Sequence, residues 1–201
     1  MKTIITESLT KSYTYSDYKS KVSDLLAENK SSGNLQNDEM VHYSKMNLQR
    51  MKRLDKTVVI VDKVKEIVEQ NAYNLLFLVI SEGWCGDAAQ TLPVINKIVE
   101  NSENIDLRIV FRDENEELMN AFLTNGGKSI PKIIVLNTEN YDVLDDWGPR
   151  PENATKEVLK LKEQFGGITE EVKEGLQKWY NEDKGISAQI EISDLIKNAA
   201  I

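Results

Sequence analysis

One cysteine, Cys85, and one histidine, His42, stand in 201 residues. A single cysteine cannot close a disulfide within its own chain. His42 has no cysteine, second histidine or carboxylate cluster around it, so neither a protein metal site nor a cofactor is expected. Basic residues are the minority, 25 Lys and Arg against 33 Asp and Glu, for a formal charge of −8. That balance argues against a broad nucleic-acid or anionic-membrane surface. No apolar run approaches the ~20 residues of a membrane span. The opening residues MKTIITESLTKSY lack the apolar stretch of a secretory signal. A reducing cytoplasm is the expected home. No repeat or low-complexity segment is present. The four prolines and ten glycines therefore act as punctuation.

Against those absences, the stretch from Leu75 to Ile98 stands out: LLFLVISEGWCGDAAQTLPVINKI. Leu75–Ile80 is an unbroken apolar run, suited to a strand covered on both faces. After Asp87 a helical pattern takes over, with Leu92, Ile95, Ile98 and Val99 on one face. Cys85 thus sits where a buried strand hands over to a helix. The unpaired N–H groups of a first helical turn favour an anion there, and the thiolate is the reactive form of cysteine.

The chain before this stretch reads as helices. One carries Tyr15, Tyr18, Val22 and Leu25 and breaks at Ser31-Ser32-Gly33-Asn34. A second spans about Asp38 to Leu54. Arg50, Lys52, Arg53 and Lys56 form a local basic cluster. Two readings of it stay open: a solvated helix face, or a patch that meets an anionic partner or the active-site acids. A third helix is expected from Asp55 or Thr57 to Val68, with the β-branched run Val58–Val61 as the competing strand reading.

Beyond Cys85, Pro93 should kink its helix. Ile105–Phe111 is a second strand, and Glu114 to Leu123 a short helix stopped by Gly126-Gly127. Ile133–Leu136 is a third strand, entered through Ile130-Pro131. Tyr141–Trp147 should return as a fourth in a hairpin. Two helices follow, divided at Gly166-Gly167, and the ambiguous Ile186–Ile201 reads as mostly helix. The order predicts an α/β fold: a mixed sheet, its first strands parallel and its hairpin antiparallel, with helices on both faces. Three parts are expected: an N-terminal helical extension over 1–55, a core over 56–166, and a C-terminal helical extension over 167–201.

This order, with Trp-Cys at the strand–helix junction, resembles the thioredoxin superfamily. The matching residues are Trp84-Cys85-Gly86-Asp87-Ala88, Pro93 eight residues after the cysteine, Ile130-Pro131 ahead of a strand, and Gly148 after the hairpin. The resemblance covers about Thr57 to Phe165. The wider run from NLQRMKRLDK through EGWCGDAAQTLP to WGPRP is similar to a bacterial subgroup of thioredoxin-like proteins with added helices. The resemblance implies a cis peptide bond at Pro131 facing Cys85, and an edge there for an extended peptide or a small thiol.

Two departures shape the expected chemistry. The position of the resolving cysteine is Ala88, so the two-thiol cycle of a thioredoxin is closed to this chain. The family's buried aspartate, six residues before the first cysteine, is Val79. What remains is monothiol exchange through Cys85 with a protein or low-molecular-weight thiol or disulfide. The competing expectation is a redox-inactive protein-binding module. Exchange predicts a thiol that alkylates well below pH 8. Asp87 beside the sulfur works against that, because a nearby negative charge raises a thiol pKa, though the same carboxylate could instead cap the helix or serve as a base. Glu82 and Arg150 read as solvated, Trp147 and Trp179 as packing, and Trp84 as equally core or rim.

Overall fold

The computed structural model describes residues 1–199. Strand β1 (Leu75–Ser81) is buried along its whole length because it has a neighbour on each side. It runs parallel to β2 (Ile105–Phe111), with Leu75 opposite Ile105 and Ser81 opposite Phe111. On its other side it runs antiparallel to β3 (Lys132–Asn137), with Leu76 opposite Leu136. β4 (Val143–Trp147) closes a hairpin with β3, giving the order β2-β1-β3-β4. The run Leu75 to Ile80 is buried residue after residue, so both faces of the sheet are covered there. This is the mixed α/β architecture read from the apolar runs.

Before the sheet come α1 (Lys2–Thr10), α2 (Tyr15–Ala27), α3 (Asp38–Thr57) and α4 (Asp62–Gln70). Side chains that accept from free first-turn N–H groups start two of them: Thr14 accepts from Asp17 N, and Asn37 from Met40 N. Between α1 and α2, Tyr13 exchanges both backbone hydrogen bonds with Ile109 of β2, at 2.8 and 2.9 Å. That bridge covers part of a sheet edge that would otherwise offer free backbone groups to another chain.

The third helix differs from expectation. α3 runs on to Thr57, Val58–Val61 is extended, and α4 begins at Asp62. The buried Gln189 explains the break. Its amide donates to Val59 O at 3.0 Å and accepts from Val61 N at 2.9 Å, as a strand neighbour would. The β-branched run therefore keeps the backbone it prefers without a sheet partner.

After β1, α5 (Gly86–Val99) passes through Pro93 without interruption. α6 (Glu116–Ala121) follows β2. The hairpin turn is longer than expected: Tyr141 takes a left-handed φ of 57°, and β4 starts only at Val143. α7 (Glu152–Phe165), α8 (Glu170–Asp183) and α9 (Ile186–Asn198) complete the chain. α9 packs against α4, α5 and β4, while α3 packs along α5. Among the described residues, no helix is long and apolar enough to cross a membrane.

Candidate functional site

The turn Glu82–Trp84 between β1 and α5 is held from the N-terminal helices. The Ser32 hydroxyl accepts from Gly83 N at 2.8 Å, and Asn47 donates to Gly83 O at 3.1 Å. The Tyr18 hydroxyl lies 3.2 Å from that of Ser81 at the end of β1. These contacts tie residues 1–55 to the backbone that carries the cysteine.

Cys85 is the N-cap of α5. Its sulfur accepts from Ala88 N at 3.4 Å and donates its hydrogen to Ile130 O at 3.2 Å. Ile130-Pro131 is cis. The thiol and the proline turn that the sequence placed far apart therefore meet. The residue is buried, with 7 % of its surface exposed. Burial pushes the thiol up to about 12, and the Asp87 carboxylate adds to the rise. The backbone N–H groups of Ala88 and Asp87 pull the other way and lose. A thiol so placed runs against the reactivity well below pH 8 that monothiol exchange calls for. A helix terminus offers a thiolate partial charges, and here desolvation outweighs them.

Asp87 is buried and its carboxylate is fully engaged. Arg150 donates to Oδ2 through Nε at 3.1 Å and Nη2 at 2.5 Å, and the Tyr180 hydroxyl donates to Oδ1 at 2.7 Å. Burial raises the Asp87 pKa, opposed by those donors. Arg150 is thus not the solvated residue expected. It reaches inward to Asp87 from just beyond Gly148-Pro149, whose peptide bond is also cis. Tyr180 comes from the buried face of α8. Its phenol stays protonated, its pKa raised by burial and by Asp87. Ala88 is buried behind the sulfur, and Gly86 has open space where a side chain would stand.

Trp84 is half-buried, with the Arg112 guanidinium 4.9 Å from its ring centre. Glu82, expected in solvent, is 1 % exposed. Its Oε1 accepts from Asp113 N at 3.0 Å, while Oε2 has no hydrogen-bond partner among the described residues. Burial lifts this carboxyl to about 7. The folded protein then holds the proton between about pH 4.5, the ordinary value, and about 7, whereas the unfolded chain releases it. Stability therefore falls as pH rises through that window and is level above it, a loss of about 3 kcal/mol. Glu82→Gln keeps the acceptor for Asp113 N. It should unfold at higher urea than wild type at pH 8, by up to ~3 kcal/mol, and match it at pH 4. Equal midpoints at pH 8 would mean Glu82 carries no such penalty.

Among the described residues, no group of three or more His, Cys, Asp and Glu is placed to hold a metal ion.

The profile of a family described as Thioredoxin matches residues 33–184. Among solved structures, the chain is similar to a protein of unknown function from Pseudomonas aeruginosa, at 16 % identity and a TM-score of 0.60, with 93 % of this chain and 99 % of that one covered. It is also similar to an HIV epitope scaffold, at 16 % identity and a TM-score of 0.58, covering 92 % and 98 %. At such identity the likeness is one of fold. No curated protein matches the sequence.

Proposed function

The chain belongs to the thioredoxin family, and from that premise we propose that it is a latent monothiol, in which Cys85 exchanges with a disulfide only once a substrate has docked beside cis-Pro131. The observation that carries this reading is the bond from the Cys85 thiol to Ile130 O at 3.2 Å. An extended segment laid along residue 130 would offer its own N–H to that carbonyl, as an added strand does. The sulfur then loses its acceptor and is free to give up its proton. Until then it is a poor nucleophile. At pH 7 a thiol at about 12 is ionised to the order of 10⁻⁵, against ~3 % for a free cysteine. Its greater intrinsic nucleophilicity recovers only part of this, so resting attack is roughly 100-fold slower.

In the proposed exchange, the Cys85 thiolate attacks the small-thiol sulfur of a mixed disulfide between a protein and that small thiol. The old S–S bond breaks and a new one forms to Cys85. The protein sulfur leaves with the electron pair and takes up the proton Cys85 released. Ala88 cannot resolve the adduct, so a second small thiol must attack the sulfur of the first, forming a symmetrical small disulfide and releasing Cys85, which leaves with the electron pair and takes up the attacking thiol's proton. Such a cycle needs a pool of reduced thiol, as in cytoplasm. The partners are a protein and a low-molecular-weight thiol or disulfide. With a formal charge of −8, neither nucleic acid nor membrane belongs to this reading.

A second reading is favoured by the thiol at about 12: a redox-inactive binding module that keeps only the cis-proline face. Intact-mass analysis after incubation with glutathione disulfide at pH 8 separates them. Latent exchange predicts one adduct, on Cys85, formed slowly and persisting until free thiol is added. Prolonged incubation with no adduct would leave the binding module, whose partner capture should then survive Cys85→Ser.

A further inference from the structure

The basic cluster of α3 has an address. A cleft of about 650 Å³ lies between α3 and α8, lined by Lys45, Met46, Arg50 and Arg53 from the first and Gln177 and Asn181 from the second. Among the described residues its lining holds no carboxylate. Among the described residues, none of Lys45, Arg50 and Arg53 makes an ion pair, although the chain has more acids than bases. Arg50 is partly buried, yet its one side-chain hydrogen bond is to Asn47 Oδ1 at 2.5 Å. A guanidinium has five N–H donors, so most of its capacity is unused. Among the described residues, the one hydrogen bond of the Arg53 side chain is to Asn181 Oδ1, at 3.4 Å. Arg50, desolvated and close enough to Arg53 to be repelled by it, bears a standing electrostatic cost that the buried Asp87 carboxylate, already engaged by Arg150 and Tyr180, offsets only in part. An anion between Arg50 and Arg53 would remove it.

We propose that this cleft is a binding site for a small multivalent anion, an organic phosphate or polycarboxylate, clamped by Arg50 and Arg53 with Lys45 at the rim. Guanidinium forks match the paired oxygens of both groups. Met46, 39 % exposed, supplies an apolar surface for the rest of such a molecule. The proposal does not depend on the sulfur chemistry, although Arg50 lies close enough to Asp87 and Tyr180 to feel their charge.

The test is an NMR titration of the full chain with pyrophosphate and, separately, citrate, in ~0.15 M salt to screen diffuse attraction. Saturable shifts confined to residues 42–53 and 177–181, with a dissociation constant below ~1 mM, are expected for at least one probe. The preferred probe tells phosphate from carboxylate recognition. Arg50→Gln/Arg53→Gln should weaken binding at least about tenfold. Lys52→Gln/Lys56→Gln removes as much charge from the same helix outside the cleft and should leave it unchanged. Equal weakening by both pairs, or no saturation by either probe at ~10 mM, would overturn the proposal.

Discussion

Gly148→Ala should cost on the order of 4 kcal/mol or more, a large share of the ~5–15 kcal/mol that holds a typical domain together. Gly148 has φ +125°, a backbone that side chains rarely tolerate, and a methyl group there would run into the Pro131 carbonyl oxygen. The obstacle is backbone, so no rotamer change relieves it. The neighbours cannot separate freely either. Trp147 is in register with Ile133 on β3, and Arg150 is anchored on Asp87. Urea unfolding of the variant should show a midpoint far below wild type, or the variant should fail to accumulate folded. A loss under ~1 kcal/mol would mean that β4 and the proline turn are not in this contact.

Asp87→Ala should cost about 3 kcal/mol, because it strands Arg150 and the Tyr180 hydroxyl without their acceptor. That cost is low for a broken buried pair because the Arg150 side chain keeps 22 % of its surface exposed and can partly rehydrate. Adding Arg150→Met should recover stability, as the uncompensated charge goes with it. A double variant less stable than Asp87→Ala would point to a packing role for the arginine stem instead. The same substitution removes the second of the two causes that raise the Cys85 thiol, so Cys85 should alkylate severalfold faster than in wild type. Burial, the larger cause, stays in place, and the variant should remain slower than free cysteine.

How far these features could be read from the residues depended on how local their causes are. β1 announced itself because six apolar residues in a row have few other uses. Cys85 and Pro131 were legible as a pair because each sits in a short motif, Trp-Cys-Gly and Ile-Pro. The anchors of Asp87 were not. Arg150 and Tyr180 lie 63 and 93 positions away, and nothing in their own neighbourhoods marks them. Tyr180 followed the apolar spacing of α8, so its hydroxyl carried no signal. Glu82 looked solvated because it follows a strand end. The turn that buries it is held by Ser32 and Asn47, from segments whose contact with β1 no periodicity encodes. The break at Val58–Val61 had a weak local cause in its β-branched residues, and Gln189, about 130 residues on, decided it. The basic cluster on α3 was visible, but only the arrival of α8 turns one side of it into a cleft.

Burial and the carboxylate beside it hold the Cys85 sulfur as a thiol at rest. The most direct measurement is the rate at which iodoacetamide alkylates Cys85 between pH 6 and 10, in the wild type and in Asp87→Ala. A wild-type rate roughly 100-fold below that of free cysteine at pH 7, still climbing without a plateau at the upper end, is the predicted result. An inflection below ~8.5 in the wild type, with no change on removing Asp87, would contradict it.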